Sequence, residues 1–163
     1  MLSLNEKDIR ASFVNASRKE ITDLSLPAEF AELDWQKLDY LGWRDRKIAR
    51  RAYVVVPVDG QPVGILLRQA EAGMRSRAQC SWCQDVHLPN DVAFYGAKRA
   101  GAAGRNGNTV GTLICADFEC SANVRKTPPM AYIGFDVEGA RADRIASLQE
   151  RAAAFAAVVR HVS

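Results

Sequence analysis

Apolar positions near the start of the chain recur at close to helical spacing. Ile9, Phe13, Ala16 and Ile21 predict a helix from about Asn5 to Thr22, with Ser3-Leu4-Asn5-Glu6 as a capping box at its start. Leu24-Ser25-Leu26-Pro27 ends it, and Glu32 to Leu41 is a shorter helical stretch that stops before Gly42. The rhythm then changes. Ala52 to Val58 is β-branched and aromatic and predicts a strand, with Pro57 placing it at a sheet edge. Asp59-Gly60 signals a hairpin, and Val63 to Arg68 is the returning partner. Val92 to Tyr95 and Asn108 to Ile114 are two further short strands. The glycine-rich stretch Gly96 to Gly107 between them matches no phosphate-loop spacing and reads as a mobile loop. A turn or two of helix follows from near Asp117 and stops before Pro128-Pro129, and Met130 to Val137 reads as another strand. Ile145, Leu148, Ala152, Phe155, Val159 and Val162 mark an amphipathic C-terminal helix. That stripe is too short for a coiled-coil seam and suits packing against a core.

Length and composition narrow the class. A chain of 163 residues suits one domain, so residues 1–163 are taken as a single unit, with 1–35 as an N-terminal helical segment. An apolar share of 48% and a charged share of 25% exclude a disordered or collagen-like chain. No apolar run approaches the roughly 18 residues of a membrane helix, so no membrane partner is expected. The N-terminus has neither a basic region nor an apolar core of a secretory signal, so a cytoplasmic protein is expected. A net charge of +3 is too small to argue nucleic-acid binding alone.

Four cysteines carry the chemistry. They read Cys80-Ser81-Trp82-Cys83, a 31-residue spacer, and Cys115-Ala116-Asp117-Phe118-Glu119-Cys120. Two close pairs with none left over fit a tetrahedral site for one structural Zn²⁺ per chain. Two residues between thiolates allow a tight turn that aims both sulfurs at one ion. Four residues suit a loop entering a helix, whose N-terminus favours thiolate charge. Disulfides are disfavoured in a cytosolic chain, and a redox pair would leave the second pair unexplained. A catalytic zinc keeps an open position, which four cysteines close. The His-x-Glu and Pro-Cys-x-x-Cys deaminase pattern is missing, and His87 beside the first pair reads as a solvated loop residue. The expectation is therefore no enzymatic activity. Zinc turn, hairpin, then a second pair entering a helix is the order of a treble clef. The fold expected is α+β: a small antiparallel sheet with a treble-clef zinc finger, flanked by N-terminal and C-terminal helices.

The two cysteine pairs, the upstream hairpin and Leu41-Gly42-Trp43-Arg44-Asp45 together resemble a known family. This is the C-terminal treble-clef zinc domain of the elongation-factor-G-binding proteins of the fusidic-acid-resistance (FusB) type, and residues 38–163 carry the likeness. The resemblance implies zinc held by Cys80, Cys83, Cys115 and Cys120, binding to elongation factor G, and its release from ribosomes stalled by fusidic acid. Such proteins carry a helical bundle before the zinc domain, where this chain has room for one or two helices.

Candidate partner residues follow from charge and from the apolar residues beside it. Lys98, Arg99 and Arg105 lie in a stretch without acids. Arg125 and Lys126 precede apolar Met130 and Tyr132. Cations beside apolar anchors suit an acidic protein surface or ribosomal RNA. A second basic cluster, Arg44, Arg46, Lys47, Arg50 and Arg51, reads as a solvated face. The alternative function is an RNA- or DNA-binding zinc module, against which stands the lack of aromatics interleaved with cations.

Overall fold

The computed structural model describes residues 1–71, 78–85 and 91–161. Its organising element is the hairpin of β2 (Arg51–Val58) and β3 (Gln61–Gln69). Asp59 and Gly60, at φ 51° and 75°, form the left-handed two-residue turn whose twist matches antiparallel strands. β1 (Leu41–Arg44) pairs with β2 on one side. β4 (Val92–Lys98) and β5 (Thr109–Cys115) extend the sheet on the other, in the order β1-β2-β3-β4-β5 with every pairing antiparallel. β2 is thus internal, not the edge that Pro57 suggested. Pairing with β1 stops at Val55, so Pro57, opposite Pro62, lies past the point where its missing N–H would be needed.

Strands β2 and β3 are buried almost throughout because both faces of the sheet are covered. Ala52, Val54, Val56, Val58, Val63, Ile65 and Leu67 share a core with the cysteines and the long C-terminal helix α5 (Val137–Arg160). Tyr53, Val55 and Leu66 face the opposite way and meet Leu41, Trp43, Ile9 and Leu24. The molecule is three layers deep: N-terminal segment, sheet, and zinc region with α5.

The N-terminal segment corrects the single helix expected over 5–22. It forms α1 (Glu6–Ser12) and α2 (Arg18–Asp23), with extended residues between them. Phe13 bridges Gly64, the Val14 amide donates to the Gly64 carbonyl at 3.0 Å, and the Asn15 side chain bonds both backbone groups of Leu66. Sheet contacts therefore outbid helix continuation. Asn5, not Ser3, caps α1, and the capping box belongs to Ser17 and Glu20 at the start of α2. The helix expected over 32–41 is two short 3₁₀ turns, Phe30–Glu32 and Trp35–Lys37, and Leu41 already opens β1. The aromatic pair Phe30–Trp35, with ring centres 5.9 Å apart, folds the two turns on each other.

Two further expectations change. The stretch 96–107 is not a loop throughout: β4 runs to Lys98, and α3 (Gly101–Arg105) follows. Gly104 allows this, since a β-carbon there would collide with the Arg99 carbonyl oxygen. Residues 130–136 form no strand. The Phe135 amide closes a turn onto the Tyr132 carbonyl at 3.2 Å, with Gly134 at φ 85°. Asp136 then caps α5 by accepting from the Gly139 amide. The buried stripe of α5 is Leu148, Ala152, Ala156 and Val159, with Ile145 and Phe155 on its flanks. Val162 and His87 lie outside the described residues.

Candidate metal centre and partner surface

The first cysteine pair sits on a tight turn. The Gln84 amide bonds the Cys80 carbonyl at 3.0 Å, the Cys83 amide donates to Cys80 Sγ at 3.4 Å, and Gln84 adopts φ 53°. The turn is fastened to the sheet by the Ser81 amide on the Leu113 carbonyl, 2.8 Å, and by Trp82 Nε1 on Thr112 Oγ1, 3.0 Å. Trp82 also packs edge-on against Tyr40, ring centres 4.9 Å apart. The second pair repeats the device. β5 ends at Cys115, the Phe118 amide bonds the Cys115 carbonyl at 3.0 Å, Phe118 takes φ 61°, and Cys120 opens α4 (Cys120–Arg125). Phe118 tolerates that backbone because its ring is clamped between Tyr95 and the bare Cα of Gly42.

These turns bring four buried sulfurs together, all within 4.8 Å of one another. Cys80 and Cys120 stand 3.6 Å apart, Cys83 and Cys115 3.7 Å. A tetrahedral zinc with bonds of about 2.3 Å puts neighbouring sulfurs about 3.8 Å apart, so the set fits. The electrostatics agree. Hydrogen bonds from Cys115, then Cys120 and Cys83, hold the Cys80 thiol far below its ordinary value. The contacts with Cys115, Cys80 and Cys83, in that order, push Cys120 far above it. Four thiols this close cannot all ionise unless a cation offsets the charge. The four cysteines are a treble-clef site for one structural zinc ion.

Asn123 completes the surroundings. One turn along α4 from Cys120, its Nδ2 lies 3.8 Å from Cys83 Sγ and 3.6 Å from Cys115 Sγ, an amide donor shared between two thiolates. The position of α4 is set by Asp39, whose buried carboxylate meets Arg125 Nη1 at 2.5 Å and Nη2 at 3.2 Å and accepts from Gln149 at 2.9 Å. The Asp39 backbone amide also donates to Ser121 Oγ, at 3.0 Å. Neither Asn123 nor Asp39 stands out in the sequence. The only signal is that Asn123 follows Cys120 by three residues, the interval that puts two side chains on one helix face.

The seven candidate partner residues do not form one patch. Arg125 is committed to Asp39 and to the Ser121 carbonyl. Lys126, Met130 and Tyr132 lie on the loop between α4 and α5, beside Ile133, which is 101% exposed. This loop is braced by Arg144 on the Lys126 carbonyl and by Arg141 on Thr127 Oγ1. Lys98, Arg99 and Arg105 lie elsewhere, where the Ala100 amide bonds the Val159 carbonyl and Arg99 reaches the His161 carbonyl. Arg144 and Val159 are about 22 Å apart along α5, at 1.5 Å per residue. In the second basic cluster, Arg44 meets Asp117 at 3.4 Å and Arg50 meets Glu71 at 2.9 Å.

No helix among the described residues is long and apolar enough to cross a membrane. No curated protein matches the chain. A similar solved structure is that of the fusidic acid resistance protein FusC, at 24% identity and a TM-score of 0.49 over 65% of this chain. The match takes in 47% of FusC, so this chain accounts for about half of that protein. Residues 8–159 match the family described as the FBP C-terminal treble-clef zinc-finger. With a family match over nearly its whole length and a four-cysteine site of the required geometry, the chain belongs to the FBP C-terminal treble-clef zinc-finger family.

Proposed function

We propose that the protein is a non-enzymatic zinc module that binds elongation factor G and promotes its release from the ribosome, in the manner of fusidic-acid-resistance proteins. The family membership and the resemblance of its cysteine pairs to the FusB type support this reading, and the name of the FusC structure agrees with it. Four thiolates fill a tetrahedral set and leave no position for a reacting water, which supports a binding role over a hydrolytic one. Cytoplasmic location follows from the partner.

The observation that carries the contact is the loop tip: Met130, Tyr132 and Ile133 are exposed at 70%, 65% and 101% on a base braced by two arginines. Exposed apolar side chains beside a braced base are the kind of anchor that a partner buries on association. Lys98, Arg99, Arg105 and Lys126 would add a positive field that speeds encounter with an acidic surface. Arg125 contributes mainly through the fold. Calorimetry with purified elongation factor G tests the reading. Tyr132→Ala with Ile133→Ala should weaken binding by about 2 kcal/mol or more through faster dissociation, with zinc content unchanged. Replacing the four cations by alanine should slow association and flatten its salt dependence. No binding at tens of micromolar, with tight salt-sensitive binding to ribosomal RNA, would favour the nucleic-acid alternative instead.

A further inference from the structure

The N-terminal layer covers the sheet only as far as β3. Where it stops, an open groove of about 550 Å³ runs between residues 14–20 on one wall and the end of β4 with α3 on the other. Asn15 defines the boundary: its side-chain amide donates to the carbonyls of Leu66 and Lys98, tying β3 to β4 where their regular pairing has ended after Arg68 and Gly96. Gly96 forms part of the floor, Gly101 and Gly104 also line the groove, and Val14, Ala16 and Leu66 make part of the walls apolar. A β-carbon at Gly96 would meet nothing nearer than 4.0 Å, so that stretch of floor is bare backbone.

The rim is strongly one-signed. Among the described residues, Arg68, Lys98, Arg99 and Arg105 line the groove against a single carboxylate, Glu20. Glu20 is already engaged, with Arg68 Nη2 at 3.1 Å and Arg51 Nη2 at 3.8 Å. Among the described residues no carboxylate pairs with Lys98, Arg99 or Arg105. Such a groove favours an anionic occupant with apolar groups to bury. Among the described residues no aromatic side chain lines it, so the groove as described offers no stacking platform of the kind that holds single-stranded nucleic acid. An extended chain, by contrast, projects side chains alternately to rim and floor.

We infer that this groove is a second binding site, for an extended acidic peptide segment of a partner protein in which Asp or Glu alternates with small apolar residues. The carboxylates meet Lys98, Arg99 and Arg105 at the rim while the apolar residues settle on the floor at Gly96. The site is separate from the Met130–Ile133 loop and does not depend on elongation factor G being the partner there.

The test pans a random decapeptide library on the zinc-loaded full chain, then measures the enriched peptides by fluorescence anisotropy. The expected result is enrichment of alternating acidic and apolar residues. Binding should weaken at least tenfold in the Lys98→Glu, Arg105→Glu double variant, with zinc content and far-ultraviolet dichroism unchanged. It should be indifferent to Tyr132→Ala, which separates this site from the loop. Amide resonances of Gly96, Gly101 and Gly104 should shift on titration. The inference is overturned by failure to enrich, by enrichment without acidic residues, or by peptides that bind the double variant equally well. A labelled oligouridylate that binds tighter than the best peptide, and loses binding in the double variant, would also overturn it and mark the groove as a nucleic-acid site.

Discussion

Asn123 and Asp39 show how much a zinc site leans on residues that never touch the metal. Asn123 spreads one amide donor over Cys83 and Cys115, which orients both sulfurs and shares their negative charge. Asn123→Leu keeps the volume and removes the donor. It is expected to lower zinc affinity about 10- to 100-fold, read as faster metal transfer to a competing chelator. Asp39 is different, because its carboxylate is buried and its partner Arg125 mostly so. Asp39→Ala leaves a guanidinium without its counter-charge and should cost about 3 kcal/mol in a denaturant melt. Removing both partners together should cost less than the sum of the single changes.

At the scale of elements, the β1–β2 connection and the docking of α2 on the sheet are both written in charge as well as apolar contact. Burial works against ionising Asp45, but hydrogen bonds from the Tyr53 hydroxyl and the Lys47 and Ile48 amides, with the Arg51 charge, bring it below 3.8. Tyr53 in turn is pushed up to about 12, by burial first and then by Asp45. Glu20 is likewise held below 4.5: burial opposes ionisation, and the Ser17 bonds with Arg51 and Arg68 outweigh it. Both carboxyls titrate lower in the folded chain than in the unfolded one. Their stabilisation is complete above the unfolded values and is lost as pH falls through the lower folded ones. Thermal melts should therefore drop on acidification below about pH 4, and Asp45→Asn should flatten that limb while lowering stability at neutral pH. On the other side of the sheet, Gly104→Ala should displace α3 from the end of β4, seen as faster amide exchange over 99–108.

Across the whole molecule the metal joins layers that apolar contact alone secures less firmly. Cys80 and Cys83 hang from β5 through Ser81 and Trp82, Cys115 ends that strand, and Cys120 starts the helix that packs on α5. One zinc therefore closes a loop from the sheet to the C-terminal helix, and its binding energy is also folding energy. Elemental analysis should return one zinc per chain. Cys115→Ser, or exhaustive chelation, should convert a cooperative melt into a broad one and expose the segment between α4 and α5 to protease.

Local chemistry determined a good deal by itself. The cysteine spacing identified the ligands, because a thiolate pair two residues apart has few other uses in such a chain. Asp59-Gly60 fixed the hairpin, since few pairs accept two left-handed residues, and the α5 stripe announced its buried face by period alone. What the sequence left open depended on partners distant in the chain. Phe13 to Ser17 has the apolar spacing of a helix, yet it is extended because Gly64 and Leu66 offer their backbone groups to it. Leu41 to Arg44 is too short to declare itself a strand and becomes one by pairing with β2. The cations were legible as residues but not as surfaces. Only the packing of α3 and α5 puts Lys98 and Arg105 on the rim of a groove while Asp39 draws Arg125 inward, because which charges stay free is decided by what the fold brings beside them.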